Sequence, residues 1–564
     1  MSPDREIVSF SITQDVGLGT SMYVVGSAEA LGNWTPTGGV KLRWTSGNVW
    51  TGQAALPAGV TTEYKYVWRS TATNRICDNN NATWMPDVSP TQQNLLVSVP
   101  AAPAAPYAGK TVFYLTGWTN PAIVYTSGSD TNFYAAPLTR IGFGRTTNEF
   151  LYRVDGIGQP GRPIQFVMTD NQGNYDRAIF PSGVGFNGTD YLTPLDFFHL
   201  QDGQIFDYQP PATVDAPSYF VTTVFSTVAG VLPRTNRIWL PRGYAQNTWK
   251  RYPVLYMHDG QNLFTGSYVA GFSSANSWAA DSAALREIHQ GRMRECIIVG
   301  MDNTTQRQWE YMPTGDRYSD TTPNGIGWDY LRFVLDNVKP TLDFNFRTLP
   351  DWRNTAIMGS SLGGIISIYF GYETNVFGVV GAMSPGFGRA TNYASAFAAK
   401  SRRPLRVYID TGTNEGLVGQ PPGASYWEPV LRGYDGLLVH GYAPGLDLLW
   451  NPGCGQIHTE AAWGDRLPGA FRFLFPPGDE PNRLAHLVHP PAFRSAQIAG
   501  ATVTAQHDAL AHQPYVLDTA TAPDGPWTPV ATTAPSASAW SYPSITSNVS
   551  DAAAILRVRS IADP

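Results

Sequence analysis

The chain falls into regions that differ in how hydrophobic and polar residues are spaced. Within residues 1–100, apolar and polar positions alternate in short runs such as 23–27 and 63–67, and turns rich in glycine, proline and asparagine separate these runs. Such alternation is typical of half-buried β-strands. The same pattern occurs in residues 107–211 and 488–564, so we predict a small β-sandwich in each of these three regions.

Residues 212–480 have a different pattern, in which strand-like apolar runs alternate with helical segments. The runs 355–358, 405–410 and 447–450 are each followed by a loop rich in glycine and polar residues. Strands that alternate with helices are typical of a mainly parallel sheet flanked by helices. We therefore predict a multidomain protein with an α/β domain at its centre.

The run 355–358 leads into residues 359–363, GSSLG, a tight turn from a strand into a helix. A serine on such a turn needs small residues two positions to either side, because the backbone is strained and passes close to its neighbours. The turn would raise the Ser361 hydroxyl above the sheet and leave N–H groups at the helix start, beginning with Leu362, free to bind an oxyanion. The motif indicates acyl transfer through a serine, and a glycine-rich turn without chemistry is the alternative.

A serine nucleophile needs a histidine base and an acid that orients the histidine. In α/β-hydrolases both follow the serine along the chain, on loops after later strands. His458 lies in the loop after the run 447–450, and we predict it as the base. Asp410 ends the run 405–410 and Glu415 lies in the loop that follows, so both carboxylates are candidates for the acid.

Residues 212–480 resemble the "putative esterase" family of α/β-hydrolases, which includes feruloyl esterases, enterobactin esterases and mycobacterial mycolyltransferases. The motifs that carry the resemblance are 254–264, Arg307, Glu310, Tyr311, 359–363, His458, Trp463 and 466–468. The resemblance implies that Glu415 is the acid, with Asp410 as runner-up. It also implies an oxyanion hole made by the backbone N–H groups of Leu362 and Gln261. Arg307 and Glu310 are predicted to pair near the cleft.

The first hundred residues resemble the starch-binding modules of carbohydrate-binding family 20. The matching segments are 23–27, 31–34, 50, 56–59 and 63–67. Such modules hold α-glucan by stacking aromatic rings on glucose units. By position, Trp34 and Lys65 would share one binding site. The family's second tryptophan would fall near Ile76, where this chain has none, so Trp68 or Trp84 would have to take its place.

The other two β regions have weaker resemblances. Residues 107–211 are similar to the starch-binding modules of families 25 and 26, in which Tyr175 would replace an expected tryptophan and still offer a ring for stacking. A structural spacer is the alternative for this region. Residues 488–564 resemble a fibronectin-like β-sandwich, for which a spacer or interaction module is the preferred interpretation.

The composition supports turn-rich β modules and excludes some classes of partner. The chain has 564 residues with 55 glycines, 44 prolines and only 15% charged residues. Its formal net charge of −6, the absence of a basic run and the absence of a long apolar run argue against nucleic acid and membranes as partners. Residues 1–5 show no signal peptide. We expect a secreted or cell-surface protein whose leader this chain lacks, with a cytoplasmic protein as the alternative.

These observations predict a serine carboxylesterase that hydrolyses acyl or hydroxycinnamoyl (feruloyl-like) esters and is targeted to starch or a related α-glucan. The chemistry of a serine, a histidine and a carboxylate requires no metal or organic cofactor. Two alternatives stay open. One is an acyltransferase that passes the acyl group to a sugar hydroxyl through the same triad. The other is a noncatalytic α-glucan-binding protein with a vestigial hydrolase domain.

Overall fold

The computed structural model describes most of the chain between residues 5 and 560. The described residues are 5–16, 20–34, 38–57, 60–70, 95–98, 109–128, 130–146, 148–180, 182, 184–208, 210, 214–248, 250–265, 277–416, 426–477, 493–499, 502–507, 509–510, 515–520, 528–533, 540–541, 544–548 and 555–560. All of the described α-helices lie between Ala280 and Leu474, and the regions on either side are built from strands. This division agrees with the predicted α/β domain between β-rich regions.

In the N-terminal module, two antiparallel sheets enclose a small core. The strands are β1 (Arg5–Thr13), β2 (Thr20–Gly26), β3 (Val40–Lys41), β4 (Arg43–Thr45), β5 (Val49–Pro57), β6 (Thr61–Ser70) and β7 (Leu95–Ser98). One sheet has the order β1-β5-β4 and the other has the order β3-β2-β6-β7. Phe10, Met22 and Trp50 come from different strands of the two sheets and are buried in one cluster. The β-rich character predicted for this region is confirmed.

The second module also has two sheets. Its strands are β8 (Lys110–Thr116), β9 (Ala122–Ser127), β10 (Tyr134–Pro137), β11 (Thr139–Phe143), β12 (Phe150–Ile157), β13 (Ile164–Thr169), β14 (Tyr175–Asp176), β15 (Tyr191–Thr193), β16 (Phe197–Gln201) and β17 (Gln204–Phe206). One sheet runs β10-β9-β13-β14, with β15 also on β13, and the other runs β11-β12-β8-β16-β17. Val112, Phe166 and Phe198 from the two sheets share one core cluster.

The central domain is built on an eight-stranded sheet with the order β18-β19-β21-β20-β22-β23-β24-β25. The strands are β18 (Ser218–Val224), β19 (Arg234–Leu240), β20 (Val254–His258), β21 (Ile297–Met301), β22 (Thr355–Ser360), β23 (Val379–Met383), β24 (Arg406–Asp410) and β25 (Leu448–Trp450). β19 pairs antiparallel with β18 on one side and with β21 on the other. The remaining neighbours in the sheet, β21-β20, β20-β22, β22-β23, β23-β24 and β24-β25, are all parallel. The predicted mainly parallel sheet is therefore confirmed.

Helices cover both faces of this sheet. They are α1 (Ala280–His289), α2 (Arg307–Glu310), α3 (Gly327–Phe333), α4 (Lys339–Asn345), α5 (Leu362–Glu373), α6 (Thr391–Phe397), α7 (Trp427–Val439) and α8 (Glu460–Leu474). Alternate residues of one strand belong to different cores, since Val254 and Tyr256 lie in one buried cluster while Leu255 and Met257 lie in the other. Burial on both faces explains why the parallel strands read as nearly continuous apolar runs.

The C-terminal strands are short and pair antiparallel. They are β26 (Phe493–Ala499), β27 (Thr502–His507), β28 (Ala509–Leu510), β29 (Tyr515–Ala520), β30 (Thr528–Thr533), β31 (Trp540–Ser541), β32 (Ser544–Asn548) and β33 (Ile555–Ser560). They form the ladders β26-β27-β32, β28-β31 and β30-β29-β33, and Leu517 and Ile545 are buried together between two of these ladders. The fibronectin-like sandwich and the exact domain boundaries stay predictions.

Candidate active site

Ser361 lies on a strained turn between β22 and α5. Its backbone has φ 56° and ψ −119°, a conformation that is unfavourable for a residue with a side chain. A Cβ atom built on Gly359 would lie 2.7 Å from the backbone of Gly363, so the turn closes only with glycine there. The strand, the turn and the helix thus have the arrangement that the sequence predicts for a nucleophile elbow, and the Ser361 side chain is half-buried.

The structure brings the predicted base and acid together. Glu415 follows β24, His458 follows β25, and His458 Nδ1 lies 2.8 Å from Glu415 Oε2. Burial alone would raise the pKa of Glu415, but the hydrogen bond and charge of His458 hold the pKa below its ordinary value. The carboxylate therefore stays ionised. The contact would fix the proton of the imidazole on Nδ1 and leave Nε2 as the basic nitrogen.

Asp410, the other candidate for the acid, is held by different partners. Arg466 approaches it through Nε at 2.8 Å and Nη2 at 3.2 Å, and the Tyr408 hydroxyl donates to it at 2.7 Å. Burial raises the pKa of Asp410 even though Arg466 opposes that change. The geometry therefore favours Glu415 in the acid position and gives Asp410 a structural role beneath the triad.

Ser384 is a residue that sequence reasoning missed. Its hydroxyl donates to Glu415 Oε1 at 2.6 Å and accepts hydrogen bonds from Trp463 Nε1 and Arg466 Nη2, each at 3.1 Å. The backbone N–H of Gly412 also donates to Glu415 Oε1, at 2.7 Å. Two donors therefore fix the oxygen of Glu415 that faces away from His458. These contacts explain the presence of Trp463 and Arg466 among the motifs that carry the resemblance.

Tyr426 is a second residue that the sequence did not point to, and it touches all three candidate triad residues. Its hydroxyl lies 3.4 Å from Ser361 Oγ, and its ring stacks on the His458 imidazole with centroids 4.1 Å apart. Its backbone N–H donates to the carbonyl of Glu415 at 3.1 Å. Burial raises the pKa of the Tyr426 phenol, so the hydroxyl keeps its proton and can donate it in a hydrogen bond.

The two predicted oxyanion donors come from neighbouring strands. Leu362 is the first residue of α5, and the N–H of a first helical residue has no acceptor within its own helix. Gln261 lies just after β20, which pairs in parallel with β22. A Cβ atom built on Gly363 would lie 3.2 Å from Cβ of His258, so the end of β20 touches the elbow. Both N–H groups therefore lie at the edge of the sheet that carries Ser361.

His258 and Asp259 brace this edge. The Asp259 carboxylate accepts hydrogen bonds from Nε and Nη2 of Arg307 at 2.6 and 2.9 Å. The backbone N–H of Asp259 donates to the hydroxyl of Tyr311 at 3.2 Å. His258 is buried, which lowers its pKa to about 3 and keeps it neutral. The predicted pairing of Arg307 with Glu310 is wrong, because Glu310 forms a fully buried ion pair with Arg234 instead, at 2.7 Å.

In the N-terminal module, the predicted sugar-binding residues lie on the outer face of the sheet β3-β2-β6-β7. Trp34 packs against Tyr23, Val25 and Val67, and Val25 pairs directly opposite Lys65. Directly opposed residues of an antiparallel pair share a face, so Trp34 and Lys65 lie on the same side of the sheet.

Of the two candidates for a second tryptophan, Trp68 packs against the core cluster on the other side of this sheet, and Trp84 lies outside the described residues. Trp44, which the sequence analysis did not select, is 52% exposed on β4 of the other sheet. Exposed tryptophans are the residues that a stacking site needs, so Trp44 is a further candidate on this module.

In the second module, Tyr175 is 53% exposed at the start of β14. The guanidinium of Arg177 lies 5.3 Å from its ring centroid and 5.2 Å from that of Phe186, which is also exposed. The two rings and the cation between them form a surface on which a sugar could stack. Glucan binding by Tyr175 stays a prediction.

The described part of the chain contains no group of three or more histidine, cysteine, aspartate or glutamate side chains placed to hold a metal ion. Nor does any helix there have the length and apolar character that a membrane crossing demands.

Two segments of the chain match family models. Residues 232–432 match the family described as "Putative esterase", and residues 6–94 match the family described as "Starch binding domain". The predicted resemblances of these two regions are thereby confirmed. The matches support a carboxylic ester hydrolase that carries a starch-binding module.

Curated relatives match shorter parts of the chain. A Bacillus subtilis protein described as uncharacterized, YbbA, is 26% identical over 187 residues, which are 32% of this chain and 68% of that protein. An α-amylase of Thermomonospora curvata is 50% identical over 60 residues, 10% of each chain. An α-amylase of Streptomyces violaceus is 37% identical over 76 residues, which are 14% of this chain and 12% of the amylase. The chain thus spans only about a tenth of these amylases.

Solved structures of esterases are similar to this chain at a low level. One is a ferulic acid esterase, 18% identical with a TM-score of 0.35, covering 47% of this chain and 99% of that one. Another is the enterobactin esterase of Shigella flexneri, 12% identical with a TM-score of 0.33, covering 87% of this chain and 96% of that one. Likenesses at this level support no inference about substrate.

Proposed function

We propose that the protein is a serine carboxylesterase that acts on acyl or hydroxycinnamoyl esters and is anchored to starch or a related α-glucan. The observation that carries this proposal is the convergence of Ser361, His458 and Glu415 at one edge of the parallel sheet, with a 2.8 Å contact between the last two. The match to the starch-binding family supports the anchoring. We place the anchor at Trp34 and Lys65.

In the proposed mechanism, Ser361 Oγ attacks the ester carbonyl while His458 Nε2 takes its proton. Glu415 holds the imidazole through Nδ1 and stabilises the positive charge that forms on it. The N–H groups of Leu362 and Gln261 bind the oxyanion. The alcohol leaves with the proton from His458. Water, deprotonated by the same nitrogen, then attacks the acyl-enzyme and releases the carboxylic acid.

The substrate class is tested by comparing short aryl esters with methyl esters of hydroxycinnamic acids. A kcat/KM on the hydroxycinnamates at or above that on aryl acetates would support the feruloyl-like specificity. Adding maltose or soluble starch as acceptor tests the transferase alternative. Free acid as the only product supports hydrolysis, whereas acyl-sugar formed in preference to free acid would contradict it.

We expect Tyr426→Phe to lower kcat on a short aryl ester by about 10- to 100-fold, with little change in KM. The hydroxyl lies 3.4 Å from the nucleophile, where it can donate to an oxygen of the tetrahedral intermediate, and one hydrogen bond to a charged group contributes about 1.5–3 kcal/mol. Tyr426→Ala, which also removes the ring stacked on His458, should lose more. Steady-state kinetics of the two variants would measure the difference. A Phe variant as fast as wild type would show that the hydroxyl does not contact the reacting atoms.

We expect Trp34→Ala to weaken binding to soluble starch about tenfold or more, because a tryptophan at the centre of a binding surface contributes a large share of the binding free energy. Affinity electrophoresis in gels that contain starch would measure the change. The matched control is Trp44→Ala, which removes an exposed tryptophan from the other sheet. If the control lost binding and Trp34→Ala kept it, the glucan site would lie at Trp44.

A further inference from the structure

The N-terminal module contacts the central domain with the sheet face that carries the proposed glucan site. Lys41 and Tyr23 are directly opposed on β3 and β2, and their neighbours Val24 and Val40 point into the module core. Lys41 and Tyr23 therefore point outward, on the side where Trp34 packs against Tyr23. Strands in a sheet are about 4.8 Å apart, so Lys41 lies only one to two strands from the ring of Trp34.

Helix α7 of the central domain contacts this face of the module. Lys41 Nζ lies 2.6 Å from Asp435 Oδ2, with side chains that are 17% and 39% exposed. Burial alone would lower the pKa of Lys41, but the charges of Asp435 and Glu428 raise it above its ordinary value. A second contact joins the other sheet of the module to the same domain, because the N–H of Ala55 donates to the carbonyl of Pro444 at 2.8 Å.

The same helix begins at the active site. Tyr426 is the residue before its first turn, and the hydroxyl of Tyr426 lies 3.4 Å from Ser361 Oγ. Glu428 follows two residues later, and Asp435 lies nine residues from Tyr426, or about 13 Å at the rise of an α-helix. Helix α7 therefore contacts the N-terminal module through Asp435 and contacts the nucleophile through Tyr426 at its start.

We propose that the ester cleaved by this enzyme is carried on the same α-glucan chain that the N-terminal module binds. A glucan held at Trp34 and Lys65 is presented beside α7, so an acyl group on one of its sugar hydroxyls can reach Ser361 while the chain stays bound. Water adds to the acyl carbon, the bond from that carbon to the sugar oxygen breaks, and a carboxylate and a free sugar hydroxyl are released. This inference rests on the proposed esterase function.

The experiment compares kcat/KM for acid release from three substrates. They are a butyrylated maltodextrin, a butyrylated cellodextrin of the same length and degree of substitution, and an aryl butyrate. A bound chain raises the effective concentration of its own ester groups. We expect wild type to prefer the maltodextrin ester over the cellodextrin ester about tenfold or more.

Charge reversal tests whether the docking causes this preference. Lys41→Glu places a carboxylate against Asp435 and should reduce the preference at least about threefold, with unchanged rates on aryl butyrate. The double variant Lys41→Glu with Asp435→Lys restores the ion pair in reverse and should restore the preference. Unchanged retention of both variants on starch would confirm that the module remains folded.

Three outcomes would overturn the inference. Equal kcat/KM on the two acylated dextrins would show that wild type has no preference for an ester on α-glucan. If Lys41→Glu kept the full preference for the maltodextrin ester, the preference would not depend on the docking. The same would follow if the double variant failed to restore the preference. These outcomes differ from a failure of the esterase proposal, in which wild type would release no acid from aryl butyrate either.

Discussion

Replacing Ser361 with alanine is expected to lower kcat/KM on a short aryl ester by about 10⁴-fold or more. The reason is that Ser361 is the proposed nucleophile that forms the acyl-enzyme, and the oxyanion donors alone retain only a small part of the rate enhancement. Initial rates on an aryl butyrate, followed at high enzyme concentration, would measure the loss. The variant should fold normally, because alanine fits the space that the serine occupies.

Ser360 provides the matched control, since it is the neighbouring serine, is buried at the end of β22 and lies outside the proposed chemistry. We expect Ser360→Ala to keep the rate within a few-fold of wild type. A fluorophosphonate that labels activated serines should add its mass to wild type and to the Ser360 variant but not to the Ser361 variant. A Ser361→Ala enzyme that kept more than a tenth of the wild-type rate would refute the proposed nucleophile.

The elbow could be predicted from sequence because its geometry is local. The two glycines, the serine and the change from strand to helix all lie within a few residues, and the structure places them in one strained turn. The meeting of the serine, acid and histidine loops likewise follows from the parallel sheet, whose carboxyl ends lie at one edge. The choice between Glu415 and Asp410 came only from the resemblance, because both lie at that edge.

Tyr426 and Ser384 could not be predicted, because their roles depend on tertiary contacts between distant segments. Tyr426 is separated from Ser361 by 65 residues and contacts it only because α7 packs beside the elbow. Ser384 reaches Glu415 across two adjacent strands. The predicted pair of Arg307 and Glu310 was wrong for the same reason. Each has an opposite charge nearer in space but more distant along the chain.

The β modules show the same limit. Alternation predicted the strands, and the register of those strands placed Trp34 and Lys65 on one face, as the resemblance implied. The contact between that face and α7 depends on Lys41 and Asp435, which lie 394 residues apart. No local pattern marks such a pair, since isolated charges of this kind are usually solvated.

The second large effect is expected for Glu415→Gln, which should lower kcat on a short aryl ester by about 10³- to 10⁴-fold with little loss of thermal stability. Ser384 and Gly412 both donate to Oε1, so the amide oxygen of glutamine is held at that position. The NH₂ group must then face His458 Nδ1 and donate to it. This forces the imidazole proton onto Nε2, and the nitrogen that should take the proton of Ser361 is blocked.

Asp410→Asn is the control that separates a catalytic carboxylate from a structural one. It removes the ionised partner that Arg466, which is 4% exposed, contacts at 2.8 Å and leaves only Glu415, at 3.5 Å; breaking a buried pair costs about 3–5 kcal/mol. We therefore expect a lower unfolding temperature and a kcat within about tenfold of wild type at temperatures where the variant is folded. Calorimetry and kinetics at one low temperature would measure both effects. If Asp410→Asn lost activity 10³-fold while Glu415→Gln did not, Asp410 would be the acid, and the 2.8 Å contact between Glu415 and His458 would not be the catalytic one.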